Sequence, residues 1–161
     1  MKKVMFLTIF ILFTCIRLNS TTKNIDGIIG LKFGMNKTEC FKILKSKPFD
    51  ISGERRKEMA IYMNEKLYNI DFKLYMWFHY DELYSCLFSK SFKTKKEQLN
   101  FFNNIIKKIA ESYGKYKKWS DGSISWENKR NKNQISILMD TDYKHDINIF
   151  FTNTSVDNLI Q

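Results

Sequence analysis

Leu67-Tyr68-Asn69-Ile70-Asp71-Phe72-Lys73-Leu74-Tyr75-Met76-Trp77-Phe78 is the stretch that decides the fold class. Ile70, Phe72, Leu74, Met76 and Phe78 recur at every second position, and strand side chains alternate between two faces. The other face reads Asp71, Lys73, Tyr75, Trp77 and His79, which is polar to aromatic. A strand with one apolar and one partly wet face belongs to an antiparallel sheet covered on one side. Residues 60–64 predict a short strand before it. Tyr80-Asp81-Glu82 predicts a turn after it, and Tyr84, Cys86 and Phe88 alternate along a third strand. The three make an antiparallel meander.

Helix signals stand on either side. Asn36 precedes Lys37-Thr38-Glu39, so Asn36 caps a helix while Glu39 reaches back to the cap amide. Met35 and Cys40 occupy hydrophobic-staple positions, and Cys40, Phe41, Ile43 and Leu44 form the apolar face. Pro48 stops this helix. A second helix opens at Thr94-Lys95-Lys96-Glu97 and ends at Gly114. Leu99, Phe102, Ile106, Ile109 and Tyr113 line one side of it, widened by Phe101, Ile105 and Ala110. Three more strands are expected at 123–128, 134–140 and 145–152. The expected fold is therefore α+β: an antiparallel sheet of about six strands, built from two three-stranded meanders, with two helices packed on one face. Residues 21–152 form one domain, with duplicated α-β-β-β halves at 31–91 and 92–152. Residues 153–161 are expected to fray.

The first residues look like an export signal. Met1-Lys2-Lys3 is followed by the apolar run 4–16, closed by Arg17. Thirteen residues are too few to cross a hydrocarbon core, which takes about 20 in a helix. The chain offers two processing outcomes, cleavage after Ser20 or lipidation of Cys15 within Leu12-Phe13-Thr14-Cys15. Residues 1–20 are the expected signal peptide. Its loss with Lys2, Lys3 and Arg17 lowers the formal charge from +10 to +7.

Phe33-Gly34-Met35-Asn36-Lys37-Thr38-Glu39-Cys40 resembles the F-G-M-[ST]-x-x-E opening of many small exported bacterial proteins. Those proteins continue with a hairpin like the one at 72–78, Asp81-Glu82-Leu83 and 86–88. The arrangement is similar to β-lactamase inhibitory protein and to the small lipoproteins of outer-membrane assembly. The resemblance implies tandem α-β-β-β units whose open sheet face binds protein, and it carries no catalytic residue with it. Cys40 departs from the pattern, since an aliphatic residue is usual there.

Chemistry-bearing motifs are sparse. His79 and His145 lack HxH, HExxH or CxxC context, so no metal site is expected. No nucleophile elbow or phosphate-binding glycine loop occurs, and no motif asks for a cofactor. Asp140, Asp142 and Asp146 surround a turn without the glycine and terminal glutamate of a calcium loop. Cys40 and Cys86 face the same core and could pair as a disulfide or remain buried thiols. The bond would close a loop of 45 residues and stabilise by about 3–4 kcal/mol.

The expectation is a non-enzymatic periplasmic or cell-envelope module that binds another envelope protein through Tyr75, Trp77 and His79. The alternative is a lipid-anchored surface protein that binds host ligands or acidic glycans. Its basic clusters are Arg55-Arg56-Lys57 and Lys117-Lys118, which also suit an anionic lipid surface. Export argues against nucleic acid as the partner.

Overall fold

The computed structural model describes residues 24–44, 59–128, 130–140 and 145–157. The expected signal segment with Cys15, and the basic triplet Arg55-Arg56-Lys57, lie outside the described residues. The chain folds as α+β. In order the elements are β1 (Gly27–Ile28), β2 (Leu31–Lys32), α1 (Lys37–Leu44), β3 (Met59–Leu67), β4 (Ile70–His79) and β5 (Glu82–Ser91). They continue with α2 (Lys95–Tyr113), β6 (Lys117–Lys118), β7 (Ile124–Asn128), β8 (Asn133–Met139), β9 (Asp146–Asn153) and α3 (Thr154–Asp157). The main sheet is antiparallel and runs β3-β4-β5-β9-β8-β7-β6. Each meander gives its third strand to the central β5–β9 pair, so the order reads outward in the same way on both sides.

The inner face of the sheet carries the core. Phe72, Leu74, Met76 and Phe78 of β4 meet Leu83, Cys86 and Phe88 of β5. Ile147, Ile149 and Phe151 of β9 continue the layer to Ile135 and Ile137 of β8 and to Trp126 of β7. Against it α2 buries Phe102, Ile105, Ile106 and Ile109. Each such side chain contributes about 1.5–3 kcal/mol relative to exposure. Both helix starts use the side chains that the spacing predicts. The Glu39 amide donates to Asn36 Oδ1 (2.9 Å), and the Asn36 amide donates to Glu39 Oε2 (3.1 Å). At α2 the Glu97 amide donates to Thr94 Oγ1 (3.2 Å), but the Glu97 carboxylate accepts from the Lys93 amide, one residue before the cap. Gly114 ends α2 at φ 80°.

The lead-in is itself structured. β1 and β2 form a tight hairpin in which a Cβ on Gly27 would lie 1.8 Å from the Leu31 carbonyl oxygen, so only glycine fits there. The chain then ties α1 to the sheet: the Gly34 amide donates to Leu83 O and the Leu83 amide to Met35 O, both at 2.8 Å.

The structure corrects the sequence reading at several places. The main sheet has seven strands, because Lys117 and Lys118 pair with Ser125 and Ile124 across the Trp119–Gly122 turn. The first strand of the meander runs to Leu67, with a bulge between Tyr62 and Glu65. The register shift at Trp77/Phe78 moves Tyr84 out of the row of Cys86 and Phe88, and Leu83 takes the buried place instead. On α2, Leu99 is 38% exposed and Gln98 is fully buried. The Gln98 side-chain amide donates to Asp140 O (2.7 Å) and Asp146 O (2.9 Å), fastening α2 to the base of the β8–β9 hairpin. Residues 153–157 are not frayed: Asn153 pairs with Asn133, and the Thr154 amide donates to Lys132 O. Cys40 and Cys86 are free thiols, both fully buried in the one core cluster, so the disulfide is not formed. Burial, with Glu39 second, pushes the Cys40 thiol up to about 11. Burial, with Cys40 second, pushes the Cys86 thiol up further.

Candidate binding face

The face of the sheet opposite the helices is built by the alternation that fills the core. Its middle row crosses the sheet through Tyr75, Leu87, Phe150, Ser136, Ser125 and Lys117, one residue from each of six neighbouring strands. A parallel row runs through Trp77, Ser85, Thr152, Gln134 and Glu127. Tyr75, Trp77, Leu87 and Phe150 are half-buried, and none belongs to the core cluster. Leu138, diagonal to Phe150, is 41% exposed. The five side chains form one apolar patch over β4, β5, β9 and β8.

Several contacts hold this patch in shape. Tyr75 and Trp77 stack with ring centroids 6.1 Å apart and planes 20° apart. Lys73 Nζ stands 5.1 Å from the Tyr75 ring centroid, a favourable cation–π position. Beside Trp77 the floor drops to small hydroxyl residues, and Ser85 Oγ lies 3.1 Å from Thr152 Oγ1. Ser85 and Ser125 are buried despite facing away from the helices. Trp119 bounds the far end, donating from Nε1 to Ser125 Oγ (2.9 Å), with Lys117 Nζ 3.2 Å above its ring.

Of the residues singled out in the sequence, Tyr75 and Trp77 come together on this face. His79 shares their side of β4 but sits at the turn, with its ring centroid 4.3 Å from that of Tyr80 and 6.4 Å from that of Tyr84. Lys117 and Lys118 are on the edge strand β6, five strands from β4. At about 4.8 Å per strand the basic edge and the aromatic pair are roughly 24 Å apart, so they are two sites. Leu87, Phe150, Leu138 and Trp119 were not anticipated. Alternation along β9 separates Phe150 from Ile149 and Phe151, but only the β5–β9 pairing puts it beside Leu87.

Among the described residues, no group of three or more His, Cys, Asp or Glu side chains is placed to hold a metal ion. Comparison of the chain with protein-family models, with curated proteins and with solved structures finds no match.

Proposed function

We propose that this protein is an exported, non-enzymatic module that binds another protein through the outer face of its sheet. The observation that carries this reading is the apolar patch of Tyr75, Trp77, Leu87, Phe150 and Leu138 on the side away from the core. Contiguous apolar surface rimmed by polar groups marks interaction sites. Aromatic anchors held by neighbours on a rigid strand are residues of the kind that carry most of the binding energy at an interface. Lys73 beside the Tyr75 ring favours an acidic group on the partner. The envelope setting rests on the first 20 residues, and mass spectrometry of the mature N-terminus checks it.

The test uses purified protein as bait against a cell-envelope fraction, with wild type and Trp77→Ala compared at equal stability. Saturable capture of one partner, lost in Trp77→Ala, supports the reading. Equal capture by both would overturn it. A second reading places binding at the opposite edge, where Lys115, Tyr116, Lys117, Lys118 and Trp119 are all exposed. That segment would meet an anionic lipid or glycan, and charge reversal at Lys117 and Lys118 with Trp77 intact separates the two.

A further inference from the structure

We propose that the cavity at the β4–β5 turn is a binding site for a methylated ammonium cation. It is independent of the protein-binding reading, since it needs neither Trp77 nor the apolar patch. The cavity measures about 260 Å³, and beside Gly34 and Leu83 its lining holds Phe33, His79, Tyr80, Glu82, Tyr84 and Asn153. Three of its eight lining residues carry a Phe or Tyr ring, one is the imidazole of His79 and one is a carboxylate. His79 is the hinge of the ring set, touching Tyr80 at 4.3 Å and Tyr84 at 6.4 Å, with interplanar angles of 61° and 84°.

A second observation comes from the backbone. Tyr80 and Asp81 both have positive φ, 48° and 67°, so the two-residue turn between His79 and Glu82 is type I′. Such turns favour asparagine or glycine at the first place, and a tyrosine there is strained. The β3–β4 turn makes the same choice, with Tyr68 at φ 52° before Asn69. There the ring has a structural reason: it packs on the core and its hydroxyl is hydrogen-bonded to Ser112. Tyr80 has no comparable burial. It is 90% exposed, and its ring leans on His79. Strain held with so little burial points to use by a ligand.

The chemistry selects the ligand. Aromatic faces are negative and attract cations, and a methylated ammonium gives up less hydration than a bare ammonium when it enters such a cage. Residues 80–84 carry two carboxylates, Asp81 and Glu82, and no basic side chain, in a chain whose formal charge is +10. This turn is therefore locally acidic on a basic protein. A single carboxylate at the wall matches a single positive charge.

The purified protein is titrated with choline and with its uncharged isostere 3,3-dimethylbutan-1-ol, following amide resonances of residues 79–84 by NMR. Saturable shifts with choline, at least tenfold weaker with the isostere, support the site. Equal binding of the two, or no saturable shift with choline, overturns it. Tyr80→Asn keeps a residue that tolerates positive φ, so the variant folds with an unchanged or higher melting temperature. It should bind choline at least tenfold more weakly, and wild-type affinity in it also overturns the proposal. Co-sedimentation with phosphatidylcholine vesicles that Tyr80→Asn loses assigns the group to a lipid headgroup. Binding of free choline without such co-sedimentation assigns it to a soluble ligand.

Discussion

Trp77 stacks on Tyr75 at 6.1 Å on the side of β4 that faces away from Phe102. The pair is held by neighbours in the same strand and by Ser85 across the ladder, not by a helix. Removing Trp77 therefore removes surface without opening the core. Trp77→Ala should weaken partner binding by ~2 kcal/mol or more. The unfolding free energy from urea melts should change by about 0.5 kcal/mol or less, the range of a surface change. Binding and unfolding measured on the same variant decide the matter. A large stability loss that accounts for the lost binding would make Trp77 a structural residue.

Gln98 and Leu99 exchange the roles that hydropathy assigns them. Gln98 is fully buried and donates twice to carbonyls at the base of the β8–β9 hairpin, while Leu99 is exposed. Gln98→Ala leaves the Asp140 and Asp146 carbonyls without those donors, and the cost should be about 1–3 kcal/mol. Leu99→Ala should change stability by about 0.5 kcal/mol or less. Denaturant melts of the two variants check the order, and the reverse order would mean that α2 is rotated by about one residue.

What was legible in the sequence follows from this contrast. Strict alternation from Ile70 to Phe78 left one sheet face for the core, so the sides taken by Tyr75 and Trp77 could be read directly. The cap at Asn36 was readable because its partner Glu39 is three residues away. Gln98 was not, because its acceptors lie 42 and 48 residues on. Lys117-Lys118 has no strand pattern of its own, and its pairing with Ser125 and Ile124 makes it one. The bulge at Trp77/Phe78 likewise shifts Tyr84 by one place, which no periodicity reveals. For the candidate face, sequence named the two rings on β4. The half contributed by Leu87 and Phe150 depends on the β5–β9 neighbour relation.

Asn36 does two jobs at one position. Its side chain caps α1, and its backbone bridges to Glu82 at the start of β5. Asn36→Ala should cost about 1 kcal/mol, as for a lost N-cap. Asn36→Asp should retain most of it, since aspartate caps equally well and its charge suits a helix N-terminus. Because the bridge is a backbone contact, neither change should remove it. A loss well above about 2 kcal/mol in Asn36→Ala would show that the cap also holds the α1–β5 junction.

The buried thiols give a pH dependence with a definite sign. Cys40 is raised from its ordinary 9.0 to about 11, first by burial and then by Glu39. The folded state thus holds this proton more tightly than the unfolded chain. The contribution is complete below about pH 9 and is lost as pH rises through about 11. Burial also raises Tyr68 and Tyr113, so they add a loss of the same sign above their ordinary 10.0. Cys40→Ala separates the terms, because it removes one thiol and leaves both tyrosines. Urea melts from pH 7.5 to 10.5 should show wild type losing stability from about pH 9, with Cys40→Ala losing less. Parallel declines in the two proteins would remove Cys40 as a cause. A thiol-specific reagent should find Cys40 and Cys86 unreactive in the native protein and both reactive in urea, as expected for inert buried thiols. Finding neither thiol in urea without reductant would show that the two cysteines had been joined.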